Sequence, residues 1–267
     1  MLRKPCVAGR FYPSDKTRLK DTVEGYLVAN FTKEKVVALM APHAGYVFSG
    51  HVAGAVYSQA LIPDNVVLIG PNHTGLGANA ALMSLGAWET PLGDVAVNED
   101  LAALVLDASR LFKSDPAAHL MEHSLEVQLP FIKIINKAAT IVPITVMRAA
   151  IAECIELGGA IAKAIAGYAK ETLIVISSDM NHYEPDKKTR MKDSIAIERV
   201  LALDAEGLYK VVEEKDISMC GAVPAVIALF AAKKLGAKKG RLVKYATSGE
   251  RGGGMEQVVG YAGIIIN

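Results

Sequence analysis

Hydrophobic residues fall along this chain in two alternating patterns. Short, nearly continuous apolar runs occur at VVALM (36–40), VVLIG (66–70), AALMSL (80–85), TIVPITV (140–146), TLIVISS (172–178), RLVKYAT (241–247) and QVVGYAGIII (257–266). Longer segments with helical spacing occupy roughly 50–60, 99–109, 123–137, 152–169, 187–204 and 221–235. Strands that are apolar throughout must be covered on both faces, and the intervening helices supply the cover. The pattern therefore predicts a three-layer α/β/α sandwich around a central mixed sheet. No internal repeat, low-complexity tract or Pro/Ser linker interrupts it, so residues 1–267 read as a single domain.

Ligands of such sheets collect at the carboxyl ends of the strands, where the connecting loops open. Polar residues punctuate the pattern at those ends. His43 follows the first run in VVALMAPHAG, and His73 follows the second in VVLIGPNHTG. The fifth run ends in SSDMNH, with Asp179 and His182 just beyond it. Gly45 and Gly75 suit tight turns after the histidines, and Ser49 and Thr74 suit caps or turns beside them. Three separate strands thus deliver imidazoles or a carboxylate to one edge of the sheet.

The chain holds six histidines, and the other three sit in different contexts. His123, in MEHSLEVQLPF, reads either as an ordinary residue at the head of a helix or as a side chain reaching the same site. His51, inside a helical segment, and His119 read as bystanders. Cys220, in ISMCGAVPAV, lies just before Gly221 at an expected helix start. There it is either a buried small hydrophobe or a thiol whose pKa is lowered by the helix N-terminus. Cys6 and Cys154 have no such context and read as structural. Two imidazoles and one anionic residue form the donor set of a first-row transition metal with open coordination positions. Asp179 or Cys220 would supply the anion, and His182 would move protons near neutral pH.

Composition narrows the function classes. The chain has 29 basic and 28 acidic side chains, a net charge of +1, and 51% hydrophobic residues. No basic stripe points to nucleic acid, and no apolar run reaches the roughly 18 residues of a membrane span. The N-terminal MLRKPCVAGRFYPSD lacks the apolar core of a signal peptide. Three widely spaced cysteines are no disulfide framework. A cytoplasmic location is expected. The motifs G-x-S-x-G, P-loop, G-x-G-x-x-G and H-E-x-x-H are absent. The glycine-rich SGERGGGMEQ (248–257) precedes a strand and reads as a hairpin or lid.

Several longer motifs together resemble the Memo family, whose bacterial and archaeal members are also called AmmeMemoRadiSam system protein B. They are CVAGRFYPSD (6–15), APHAGYVFSG (41–50), GPNHTGLG (70–77), WETPLGDVAVN (88–98), EHSLEVQLPF (122–131), SSDMNHY (177–183), CGAVPAV (220–226) and VVGYAGIII (258–266). That family is similar to LigB-type class III extradiol dioxygenases, which carry a non-haem iron on an α/β/α sheet. The resemblance implies a metal site of His43, His73 and Cys220, lined by Asp179, His182 and His123 as catalytic groups. It implies Fe(II) first, with Cu or Zn as other occupants. The dioxygenases use a carboxylate where Cys220 stands here, and a thiolate is a softer, oxidisable donor. Ring cleavage therefore does not transfer with the motif.

Two functions are expected from these readings. The first is a metal-binding protein with a dioxygenase-type cleft and a redox or ligand-binding role, holding a small molecule or a peptide. The second is an active metal-dependent dioxygenase or oxidoreductase acting on a small substrate, with aromatic compounds among the options. A zinc hydrolase is a weaker third. The family name adds radical-SAM and AMMECR1-type proteins as partners. Nucleic acid and membrane are not expected.

Overall fold

The computed structural model describes residues 1–29, 32–252 and 254–267. Each of the seven apolar runs forms a strand. Four parallel strands make the centre of a nine-stranded mixed sheet, side by side in the order Ala38–Ala41, Thr172–Ser177, Asn65–Pro71 and Thr140–Val146. Every residue of Ala38–Ala41 and Asn65–Pro71 is buried, as strands covered on both faces require. The long strand Val258–Ile266 runs antiparallel beside Ala38–Ala41 and pairs on its other edge with Gly240–Thr247. Ala80–Leu82, antiparallel to Thr140–Val146, and then Lys113–Ser114 close the opposite side. The short strand His182–Glu184 pairs with Val258 and Val259. A separate small sheet joins Leu2–Arg3, Ala87–Trp88 and Val95–Ala96.

Two groups of helices cover the sheet. Lys16–Tyr26, Tyr46–Tyr57 and Leu129–Ile135 pack on one another, and Tyr46–Tyr57 lies on the Val258–Ile266 side. Glu99–Ala108, Ile151–Tyr168, Asp186–Leu201, Ala205–Glu214 and Ala222–Lys234 form the other group, with Ala222–Lys234 against the four central strands. One apolar cluster runs from Val7 to Ile266 through both groups. Among the described residues no helix is long and apolar enough to cross a membrane.

The structure departs from the expected pattern in two ways that bear on function. The expected helix 123–137 is shorter: Glu126–Gln128 is a single 3-10 turn, and α-helix begins only at Leu129, with Pro130 in its first turn. The preceding residues cannot join it because Glu122, Ser124, Glu126 and Gln128 all bury polar side chains committed elsewhere. Two helices, Lys16–Tyr26 and Ala205–Glu214, lie outside the expected pattern because each buries few residues, Leu19 and Val23 in one and Ala205, Leu208 and Val211 in the other. The 248–257 run joins two antiparallel strands, as a hairpin must, through a 3-10 turn at Ser248–Arg251. Its Gly253 lies outside the described residues.

Candidate metal centre

The parallel strands Ala38–Ala41, Asn65–Pro71 and Thr172–Ser177 end side by side, so the loops that follow them converge. The second loop turns through Asn72, whose side-chain oxygen accepts from the backbone N–H groups of Thr74 and Gly75. Gly75 takes φ +71°, a left-handed conformation that a side chain would strain. His43 and His73 then face each other, ring centroids 5.3 Å apart. His123 completes the group, stacked on His73 at 4.7 Å and edge-on to His43 at 5.5 Å. One ring nitrogen from each of His43, His73 and His123 lies within 4.8 Å of the others, the one metal-type cluster among the described residues.

The hydrogen bonds fix which nitrogen of His43 is free. The Ser177 hydroxyl donates its single proton to the Ser124 carbonyl (2.6 Å) and accepts from Gln128 Nε2 (2.9 Å). Its remaining lone pair faces His43 Nδ1 at 3.0 Å, so Nδ1 carries the proton and Nε2 is bare. His73 is fixed in the same way, since Nδ1 donates to Glu122 Oε1 at 3.0 Å. Glu122 also accepts from the backbone N–H of His73 and of Ser124 (2.8 Å), and its Oε1 lies 3.5 Å from His123 Nδ1. Fixing one imidazole nitrogen on an acceptor and leaving the other bare is how proteins orient metal-binding histidines.

Electrostatics reinforce this state. Burial, together with the neighbouring His123, His73 and His182, holds the His43 pKa well below the ordinary imidazole range. Burial lowers His123 as well, against the pull of Glu122. Burial alone would raise Glu122, but hydrogen bonds and charge from His73 and the backbone N–H groups hold it at about 2. The cluster therefore presents neutral imidazoles at His43 and His123, backed by an ionised carboxylate.

Cys220 arrives from a distant loop, 41 residues after Asp179. Its neighbour Gly221 makes this possible, because a Cβ there would meet Ser178 Cβ at 2.4 Å. The thiol lies 3.3 Å from His43 Nε2, half-buried and outside the compact three-histidine set. It also accepts from the Asp179 N–H at 3.3 Å. Burial and the Asp179 charge push its pKa well up, opposite to the lowering expected at a helix start. The reason is positional: Cys220 precedes the N-cap Gly221 and packs on the strand-end carboxylate. The one proton of the thiol has two acceptors in reach, the bare His43 Nε2 and the Asp179 carbonyl at 3.6 Å.

Asp179 does not face the three imidazoles as a donor. Its Oδ1 accepts from the backbone N–H groups of His43 (2.8 Å) and Ala44 (3.3 Å), so it shapes the His43 loop. Burial raises its pKa to about 6, against the lowering effect of His182 and those N–H groups. His182 stands on its short strand with its N–H on Ser218 Oγ and Nδ1 donating to the Ser218 carbonyl, both 2.8 Å. That leaves its Nε2 as an acceptor, in an imidazole near enough to act electrostatically on both His43 and Asp179. The two expected bystanders lie apart: His51 is in the Tyr46–Tyr57 helix and His119 is buried edge-on to Trp88.

Sequence reasoning does not single out Glu122, Ser177 or Gln128. Ser177 lies two residues before Asp179 and Glu122 adjoins His123, and neither position marks a role by itself. The signal is the run Glu122-His123-Ser124, a carboxylate and an imidazole side by side.

The fold and the site together define the class: an α/β/α protein with a histidine cluster at the carboxyl edge of its parallel strands. The Memo-like protein family matches residues 3–265. The chain is 42% identical to a MEMO1 family protein of Pyrobaculum arsenaticum over 278 residues, covering 100% of this chain and 99% of the relative. It is 41% identical to one of Sulfurisphaera tokodaii, with 99% of each covered, and 39% identical to one of Methanopyrus kandleri, again with 99% of each covered. The chain belongs to the Memo family.

Proposed function

We propose that this protein binds one transition-metal ion, iron or copper, at His43, His73 and His123, with Cys220 as a further donor. The observation that carries the reading is the cluster of three imidazole donors within 4.8 Å, backed by Glu122 and Ser177. The donor chemistry fits such an ion. Imidazole nitrogens and a thiol are ligand types that first-row transition metals take, and the four side chains would together hold the ion. A metal there would supply a Lewis-acidic or redox-active centre. The chain's own part is to orient the imidazoles, hold Cys220 as a thiol beside them, and hold the His43 loop on Asp179. Free cysteines at 6, 154 and 220 accord with a cytoplasmic setting. The cleft's occupant beside the ion would be a small molecule or a peptide, with radical-SAM and AMMECR1-type proteins as candidate partners.

His182 favours a second reading, a metal-dependent oxidoreductase or dioxygenase. Its Nδ1 is anchored and its Nε2 is open to receive a proton, near the Asp179 carboxyl, whose pKa burial raises to about 6. The test begins with protein purified anaerobically without a histidine tag, with metals counted by mass spectrometry. Near-stoichiometric iron or copper in the wild type, and its loss in His43→Ala and His123→Ala, is the expected result. Empty protein even after reconstitution sinks the metal reading. Steady oxygen uptake with an aromatic diol, abolished in His182→Ala but with metal retained, would select the enzyme over the binding protein.

A further inference from the structure

A second cleft opens on the same carboxyl edge of the sheet, on the far side of the strand Thr140–Val146 from the histidine loops. It measures about 340 Å³ and is walled by Ala78–Ala80, by Arg110, Leu111 and Lys113, and by Arg148, Ala149, Glu153 and Leu157. Three cations from three separate segments line it. Arg110 precedes the edge strand, Lys113 begins it, and Arg148 lies in the loop between Thr140–Val146 and the helix Ile151–Tyr168. None of the three makes a side-chain hydrogen bond or an ion pair among the described residues, although 12 Lys or Arg ion pairs form elsewhere among them.

One acid, Glu153, lines the cleft beside the three cations, so the lining carries more positive than negative charge. Glu153 Oε2 accepts from the Ala150 N–H at 2.7 Å, and Glu156 Oε1 accepts from Ser109 Oγ. Holding three like charges around one concave space costs repulsion that an anion would relieve. The helix Ile151–Tyr168 adds nothing to this, since Glu153 in its first turn takes the Ala150 N–H and meets its positive end.

We propose that this cleft binds the phosphate group of a small phosphorylated ligand, independently of the metal centre. Two guanidinium forks and an ammonium match a multiply charged tetrahedral anion better than a single carboxylate. The volume suits a small molecule and the position, after a parallel strand and before a helix, is where α/β sheets hold ligands.

Inorganic pyrophosphate is the probe, titrated calorimetrically into the wild type and into Arg110→Ala/Arg148→Ala at matched ionic strength, with acetate as control. The expected result is saturable binding to the wild type, weakened roughly tenfold or more in the double variant and absent with acetate. Both arginines are exposed, so circular dichroism should show the variant folded like the wild type. His43→Ala should bind pyrophosphate as the wild type does, which excludes chelation at the metal centre. Failure of the wild type to bind, equal binding by the double variant, or equal binding of acetate overturns the proposal.

Discussion

Glu122 and Glu126 stand four residues apart, both wholly buried, and serve opposite ends. Glu126 meets a permanent cation: it is ion-paired with the buried Arg3 guanidinium and accepts from the N–H groups of Cys6 (2.8 Å) and Val7 (3.1 Å) and from Tyr12 Oη (2.7 Å). Arg3 in turn lies over the Trp88 ring at 4.3 Å and donates to the carbonyls of His119 (3.0 Å) and Glu122 (2.6 Å). This clasps the N-terminal segment across the fold, and Phe11 from that segment packs on His123 at 4.8 Å. Glu122 has no such cation. Its side-chain partners are imidazoles, so its charge remains available to them and, through them, to a bound ion. Two buried carboxylates in one sequence motif are thus told apart by what neutralises them. A fixed guanidinium makes a structural lock, and a pair of histidines keeps the carboxylate behind a group that could hold a metal ion.

Breaking the lock should have the largest effect. Arg3→Ala leaves Glu126 buried without its cation, and the loss should be about 3–5 kcal/mol, or a fall in Tm of order 10 °C by calorimetry. Metal affinity measured well below that Tm should be little changed, because Glu122 keeps its own partners.

Acid should strain Glu122 next. Its pKa lies at about 2 in the folded protein against 4.5 for an unperturbed carboxyl. A depressed carboxylate contributes stability that is fully present above the unfolded pKa and is lost as pH falls through the folded one. The window is therefore pH 4.5 down to about 2, and the contribution is roughly 3 kcal/mol. Denaturation followed by circular dichroism across this window should give a shallower slope in Glu122→Gln than in the wild type, with the Glu126 contribution left in both.

The same substitution sharpens the contrast on the metal side. Glu122→Gln keeps the shape but removes the charge behind His73 and His123, and metal affinity should drop about 10–100-fold in competition with a chelator. Ser177→Ala should have the smallest effect, about 1 kcal/mol in stability. It also frees His43 Nδ1, so a modest loss of metal affinity should accompany it in the same competition assay.

The strands and the two strand-end histidines can be read from the sequence because a sheet covered on both faces writes itself as uninterrupted apolar runs. VVALM and VVLIG then place His43 and His73 by counting three residues past each end. The compact cluster is harder. His123 is readable only as one of two alternatives, since its loop lies 50 residues from His73 and is expected to be helical. Glu122 acts across the same distance, and no periodicity marks a buried carboxylate in a turn. Cys220 comes into view through the family resemblance; the close approach that seats it beside His43 depends on Gly221 against Ser178, a contact across 43 residues. Long-range polar contacts at loop ends carry the site, and local pattern does not encode them.

The most direct test of the metal assignment is X-ray absorption fine structure on the anaerobically iron-loaded protein. Three imidazoles in the coordination shell, with one sulfur scatterer from Cys220, is the predicted result. A shell with fewer than three imidazoles, or one unchanged in His123→Ala, would contradict the three-histidine centre.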